Sequence, residues 1–230
     1  MPDISIADIA ALAVFLIAWL FYQPIFQMIG RGRGINHDMV FIRRAWTEAM
    51  VRRDNRFMDA NLTGHVLSSA SFFASTNLLM IAAVVGALFG GEQTLKAVAG
   101  FTLLSQASPL LFDIKLTFVV FALARGLLDF IWAIRQLNYF LGVIGAAPDE
   151  PGRAKAAYGE AASAVLEPAL SAFSTGVRGY YFALAAAAWL IGPYACIAAT
   201  VGAVFLLIHR QLNSPSAKGL ARVRALLEKQ

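Results

Sequence analysis

The sequence predicts an all-α integral membrane protein, a helical bundle with about four transmembrane helices and helical extensions into the cytoplasm. Only 14% of its 230 residues are charged and 59% are hydrophobic, whereas about a quarter of the residues of a soluble domain are charged. The apolar residues also form runs of about 20, the length of helix that crosses the hydrocarbon of a bilayer. We therefore predict that all 230 residues form one membrane domain.

The first apolar run, residues 4–22, is predicted to be a retained span. A signal peptide has a basic segment before its apolar run and a small-residue cleavage pattern after it. Neither feature flanks residues 4–22. Pro24 is predicted to bend or interrupt the helix. Residues 30–34 then form a flexible basic turn, in which Arg31 and Arg33 are predicted to contact anionic lipid headgroups.

Residues 36–62 carry apolar side chains among arginines at helical spacing. This pattern predicts an amphipathic cytoplasmic helix near the membrane surface, leading into a second span at 66–89. Residues 95–109 are mildly apolar, and we leave open whether they cross the membrane or form an interfacial or re-entrant helix.

A third span is predicted at residues 110–133, within an apolar segment whose later part emerges into the cytoplasm. The Ala-rich stretch 153–177 predicts a second cytoplasmic helix. The last run, 180–208, contains Gly192-Pro193 at its middle, so it is either one kinked span or a hairpin. A basic tail, residues 210–230, ends in a short helix.

Orientation follows from the arginines. Seven lie between residues 31 and 56, and no Lys or Arg precedes them. The positive-inside rule therefore places the N-terminus in the periplasm and residues 30–62 in the cytoplasm of a bacterial inner membrane. Four spans would leave the basic C-terminal tail outside, whereas a hairpin in the last run or a crossing near 95–112 would return it, and both alternatives remain open.

Several motifs resemble a known family. They are Arg43-Arg44-x-Trp46, Arg53-x-x-Arg56-x-x-Asp59, Ser71-Phe72-Phe73-Ala74-Ser75-Thr76-Asn77, the run Arg178-Gly179-Tyr180-Tyr181-Phe182-Ala183-Leu184-Ala185, and Gly192-Pro193-Tyr194. Most of the chain is similar to a widespread family of multi-span bacterial membrane proteins, with plant relatives, that is classed as a domain of unknown function. The resemblance implies the fold class and no activity.

Polar side chains recur at helical spacing along the second span. His65, Ser68, Ser75 and Thr76 are candidate residues for lining a pore or solute path. The alternative is packing, because small residues let helices approach and their hydroxyls bond across helices.

Ionisable residues near the inner ends of the second and third spans form a predicted charged cluster: Arg56, Asp59, Arg125, Asp129 and Arg135. It is interpreted either as a charged vestibule or anionic-lipid pocket, or as interhelical salt bridges. Asp59 is the acidic member among several arginines, so its removal is expected to leave buried positive charge unpaired.

No catalytic residue, metal site or cofactor is predicted. The single cysteine, Cys196, lies in an apolar run, and no Walker loop, Gly-x-Ser-x-Gly elbow or His-Glu-x-x-His occurs. Nucleic acid is not an expected partner, because the basic residues lie beside the apolar runs. The leading hypothesis is a non-enzymatic oligomer that conducts or transports a small solute or ion. The alternative is an accessory or assembly subunit of a larger membrane protein complex.

Overall fold

A computed structural model describes residues 4–90, 108–149 and 153–229, and these residues are helical with no strand. The all-α class is thereby confirmed. The helices are α1 (Ile6–Gly30), α2 (Ile35–Arg52), α3 (Phe57–Phe89), α4 (Pro109–Gly145), α5 (Arg153–Ala187), α6 (Pro193–Asn213) and α7 (Pro215–Leu227), with a 3-10 turn at Ala188–Leu190.

Four helical segments are long and apolar enough to cross a membrane: α1, α3, α4 and the C-terminal segment Pro193–Leu227. The predicted number of spans agrees with this. Pro24 does not end α1, which continues to Gly30, since a proline inside a membrane helix is tolerated where its surroundings satisfy the freed carbonyl. The predicted segment at 95–109 lies almost entirely outside the described residues.

Two predicted segments are divided differently in the structure. Residues 36–62 are not one helix, because α2 ends at Arg52 and α3 begins at Phe57. The run 180–208 is also interrupted. The helix α5 ends within it, at Ala187, and α6 starts at Pro193. Proline suits the first position of a helix, where its missing N–H has no partner to lose. The Ala-rich stretch 153–177 and the start of the predicted last span therefore belong to one helix, α5.

The chain divides into two compact units, and α3, α4, α5 and α6 contribute residues to both. The first unit comprises the described parts of 1–29, 75–127 and 176–208. Its helices approach closely at two glycines: a Cβ built on Gly179 would lie 3.3 Å from the Cα of Gly126. Nearby, the Asn77 side-chain amide donates to the Leu123 carbonyl at 3.1 Å, so α3, α4 and α5 are joined here.

The second unit comprises the described parts of 30–74, 128–175 and 209–230. It has its own hydrophobic core, formed by α2, α3, α4 and α5. The buried members are Met50, Val51, Ala70, Leu137, Phe140, Ile144, Ala162, Leu166 and Ala169. An ion pair between Arg43 and Glu167, at 2.8 Å, joins α2 to α5.

The C-terminal helix α7 packs against α2 in the second unit. Ser214 caps α7 by accepting a hydrogen bond from the Ala217 amide at 3.1 Å, and Pro215 is its first residue. Arg224 of α7 pairs with Asp38 of α2 at 3.3 Å, and its guanidinium lies 4.1 Å from the centre of the Phe41 ring. The basic C-terminal helix is thus attached to the arginine-rich segment that follows α1.

Candidate functional site

The predicted polar residues of the second span lie on an exposed face of α3. His65, Ser68 and Ser75 are exposed and Thr76 is partly buried. Exposed residues continue along this face at alternating intervals of four and three: Asn61, His65, Ser68, Phe72, Ser75, Leu79, Ala82 and Gly86. We call these eight positions the α3 stripe. This spacing keeps side chains on one side of a helix, as in the seam of a coiled coil.

The α3 stripe takes little part in packing within the chain. Only 6% of the most apolar stretch of α3 is buried. The hydroxyls of Ser68 and Ser75 make no hydrogen bond within the described residues, whereas Ser69 beside them donates to the His65 carbonyl at 3.0 Å. The stripe is therefore available to water, to lipid or to another protein surface.

Two residues of the predicted charged cluster, Arg56 and Arg135, have partners outside that cluster. Arg56 pairs with Asp149 at 2.9 Å and donates to the Pro148 carbonyl at 3.0 Å. Arg135 is exposed and donates to the Tyr139 hydroxyl at 2.6 Å. On α4, Arg125 is exposed and Asp129 partly buried.

Asp59 is completely buried and has two side-chain partners. The Trp46 indole N–H donates to its Oδ1 at 2.7 Å, and the Arg53 guanidinium pairs with the same oxygen. Arg53 follows the last residue of α2 and Asp59 is the third residue of α3, so the pair holds the turn between these helices. The Arg53 side chain is 41% exposed. The expectation that losing Asp59 would strand a buried cation is therefore wrong, because water can solvate this guanidinium.

A second buried aspartate lies in the first unit, where the sequence analysis named no site. Asp8 is the third residue of α1 and is 5% exposed. Ser5 precedes the helix, and its hydroxyl accepts from the Asp8 amide at 3.1 Å and donates to Asp8 Oδ2 at 2.6 Å. The Ser5 amide also donates to Oδ2, at 3.3 Å. This reciprocal arrangement is a capping box and explains why α1 begins here.

The other carboxylate oxygen of Asp8 binds residues distant in sequence. The Trp189 indole N–H donates to Oδ1 at 2.8 Å, and the Lys115 ammonium lies 3.6 Å from the same atom. Lys115 is only 1% exposed, and its Nζ lies 5.7 Å from the centre of the Trp189 ring. Cys196 of α6 is fully buried. We call Asp8, Lys115 and Trp189 the Asp8 cluster.

The Asp8 cluster joins the start of α1, the start of α4 and the 3-10 turn before α6. A charge inside apolar helices is costly, so such groups pair with one another and commonly mark a functional or structural site. A local signal for it existed in the sequence. Asp8 is the single charged residue of the predicted first span, and Lys115 interrupts the third.

Arg31 and Arg33, the predicted headgroup contacts, are both exposed and follow the end of α1. The backbone between α1 and α2 turns through positive φ at Arg31, Gly32 and Gly34. Glycine adopts such angles without steric cost, so residues 30–34 form a turn, at the position where the composition predicted a basic turn.

The sequence of the chain matches a known protein family. Residues 10–216 match the family described as "Protein of unknown function, DUF599". The chain belongs to this family. The predicted resemblance to an uncharacterised family is thus confirmed, and the match covers all the helices except the first residues of α1 and most of α7. No curated protein and no solved structure matches the chain.

Proposed function

We propose that this protein is a homo-oligomeric membrane protein through which a small polar solute or ion passes, with the α3 stripe lining the path. The observation that carries the proposal is the exposure of the stripe. Its serine hydroxyls and its histidine point away from the chain's own core, so they are free to line a space between subunits.

The physical reason is the cost of polar groups in hydrocarbon. A hydroxyl transferred from water to an apolar medium without a hydrogen bond loses roughly 2–7 kcal/mol. Lipid cannot supply the partners that Ser68 and Ser75 lack within the described residues. Water in a path, or polar groups of a neighbouring subunit, would supply them.

A single subunit offers few spans to enclose a path, so we place the path between subunits. Small residues at Ser75, Ala82 and Gly86 would let copies of α3 approach one another, because helix contacts in membranes favour small side chains. The competing function, an accessory or assembly subunit, would use the same face to bind a different protein.

We further propose that the N-terminus lies in the periplasm and both α2 and α7 in the cytoplasm of a bacterial inner membrane. Because α2 and α7 pack together, they lie on the same side of the membrane. The chain must then cross an even number of times between them. With one crossing each by α3 and α4, the end of α5 and α6 would enter and leave from one side, with the break before Pro193 as the turn. A crossing near 95–112 is the alternative route that returns the tail to the cytoplasm.

The charge distribution supports this orientation. Of the 19 Lys and Arg residues, 15 belong to the second unit, which includes α2 and α7. An excess of Lys and Arg is typical of cytoplasmic segments. Cysteine-accessibility labelling in intact cells, with a single cysteine introduced in the C-terminal tail, tests this topology. Labelling of the tail by an impermeant reagent added outside would contradict it.

The transport proposal is tested in liposomes with the purified full-length protein. Ser68→Leu and Ser75→Leu together would replace two hydroxyls with bulky apolar side chains, and we expect at least a tenfold loss of solute or ion flux. The matched control is Ala198→Leu, which places leucine at an exposed small residue of another spanning helix, α6. Its flux should equal that of the unaltered protein.

The oligomeric state is measured on the same samples. A homo-oligomer with the expected flux losses supports the proposal. A protein that passes no ion or small solute under any gradient, and that is isolated from native membranes only with a different protein, supports the accessory function and overturns transport.

A further inference from the structure

The second unit contains a cavity of about 340 Å³ between the start of α2 and α7. This volume falls within the range of small-molecule pockets, roughly 300–1,000 Å³. Its lining includes Arg33, Asp38, Leu212, Lys218, Arg224 and Glu228. Three of these side chains are cationic and two are anionic.

The two carboxylates in the cavity both form ion pairs with Arg224. Asp38 is buried and pairs with Arg224 at 3.3 Å, and Glu228 pairs with the same guanidinium at 2.8 Å. Arg224 is thereby fixed in place, and it satisfies both carboxylates. With three cations against two carboxylates, the ionised side chains of the cavity carry a net charge of +1, which favours an anion.

The other two cations have no such partner. Arg33 and Lys218 make no ion pair within the described residues, and both side chains are exposed. They come from two different segments that line the cavity, one from the turn before α2 and one from the first turns of α7. This arrangement offers two positive charges to a ligand that carries negative charge on several oxygens.

The position of the cavity in the chain predicts that it lies near the membrane surface. Arg33 follows the end of α1 by three residues, and Leu212 is in the last turn of α6. Both helices belong to segments that are long and apolar enough to cross a membrane. Lipid headgroups occupy the layer where such helices leave the hydrocarbon.

We propose that this cavity binds the phosphate group of an anionic phospholipid, held between Arg33 and Lys218. The chemistry is that of a phosphate oxygen cluster facing two cations, which an inorganic phosphate ion would share. The lipid is favoured because the cavity adjoins the ends of two candidate spans. This inference needs the membrane location of the chain but not its transport function.

The test uses the full-length protein in a zwitterionic detergent, titrated with short-chain phosphatidylglycerol. Parallel titrations use short-chain phosphatidylcholine and inorganic phosphate. A basic residue near an anionic membrane surface contributes about 1 kcal/mol, or about fivefold in affinity. We expect Arg33→Gln and Lys218→Gln each to weaken phosphatidylglycerol binding about fivefold, and the double variant about 25-fold.

Arg31→Gln is the matched control. Arg31 lies two residues before Arg33 in the same turn and is also exposed, but it does not line the cavity. Its affinity should change by less than twofold. Thermal unfolding without ligand confirms that each variant is folded, since all three substitutions are at exposed positions.

Three results would overturn the proposal. The first is an Arg31→Gln loss equal to that of Arg33→Gln, which would mean attraction by general surface charge. The second is equal binding of phosphatidylcholine and phosphatidylglycerol by the unaltered protein. The third is inorganic phosphate binding as tightly as phosphatidylglycerol with the same dependence on Arg33 and Lys218, which would assign the cavity to free phosphate.

Discussion

The two units of this protein bury an aspartate in nearly the same way. Asp8 and Asp59 are each the third residue of a long helix, and each accepts a hydrogen bond from a tryptophan indole. Each also pairs with one cation of the same unit. The difference is the cation: the Lys115 side chain in the first unit is 2% exposed, whereas the Arg53 side chain in the second is 41% exposed.

This difference reflects the surroundings of each unit. Among the described residues, the first unit contains three Lys and Arg residues and the second contains 15. In the apolar unit the cation is enclosed with the acid, so the charges depend on each other. In the charged unit the cation reaches water and only the acid depends on the pair. In the first unit, the loss of either Asp8 or Lys115 should therefore cost unfolding free energy. In the second unit, the loss of Arg53 should cost more than the loss of Asp59.

The largest effect is expected from Asp8→Asn. The substitution leaves the Lys115 ammonium buried without a counter-charge, and breaking a buried pair in this way costs about 3–5 kcal/mol of unfolding free energy. Unfolding of the purified protein in mixed micelles measures it. Adding Lys115→Met should restore much of the loss, because the stranded charge is then removed as well.

Ser5→Ala is the control for the capping role of the same aspartate. It removes the hydroxyl of the capping box and should cost about 1 kcal/mol, with the ion pair intact. If Asp8→Asn costs no more than Ser5→Ala, the pair with Lys115 contributes little and the contrast between the units disappears.

The second prediction concerns the pair of Asp59 and Arg53, whose two members should differ in the unfolding free energy that their loss costs. Arg53→Gln leaves a completely buried carboxylate with Trp46 as its remaining side-chain partner, at a cost of about 2 kcal/mol. Asp59→Asn frees a guanidinium that already has access to water, so about 1 kcal/mol is expected. The same unfolding measurement compares them. A larger loss for Asp59→Asn than for Arg53→Gln would contradict the solvent-exposure argument.

The helices and their order were largely predictable because hydropathy is local. The apolar runs that became α1, α3 and α4, and the basic helix α7, were each recognised from their own residues. The break between α2 and α3 was missed, although Asp54 and Asn55 are residues typical of a turn. There the regular spacing of apolar residues on both sides outweighed a local turn signal.

The partners of the two buried aspartates could not be predicted in the same way. Trp189 and Asp8 are 181 residues apart, and nothing in either segment specifies the other. The predicted charged cluster grouped residues by their distance from span ends, which does not determine pairing. Arg56 and Asp59 are neighbours on the chain, yet the structure pairs them with Asp149 and Arg53 respectively.

The smallest effect is expected where the two units do not differ, at close contacts between helices. A Cβ on Gly179 would lie 3.3 Å from the Cα of Gly126, and one on Gly159 would lie 3.1 Å from the Cα of Glu48. Alanine gains helix propensity of about 1 kcal/mol over glycine, but crowding of packed backbones costs about 1–3 kcal/mol. Gly179→Ala and Gly159→Ala should therefore each lower the unfolding free energy by about 1 kcal/mol.

Gly202→Ala is the control, because nothing lies within 4 Å of its added carbon, and it should stabilise the protein. If all three substitutions stabilise, the helices yield at these contacts, and the burial of charge alone distinguishes how each unit is held together.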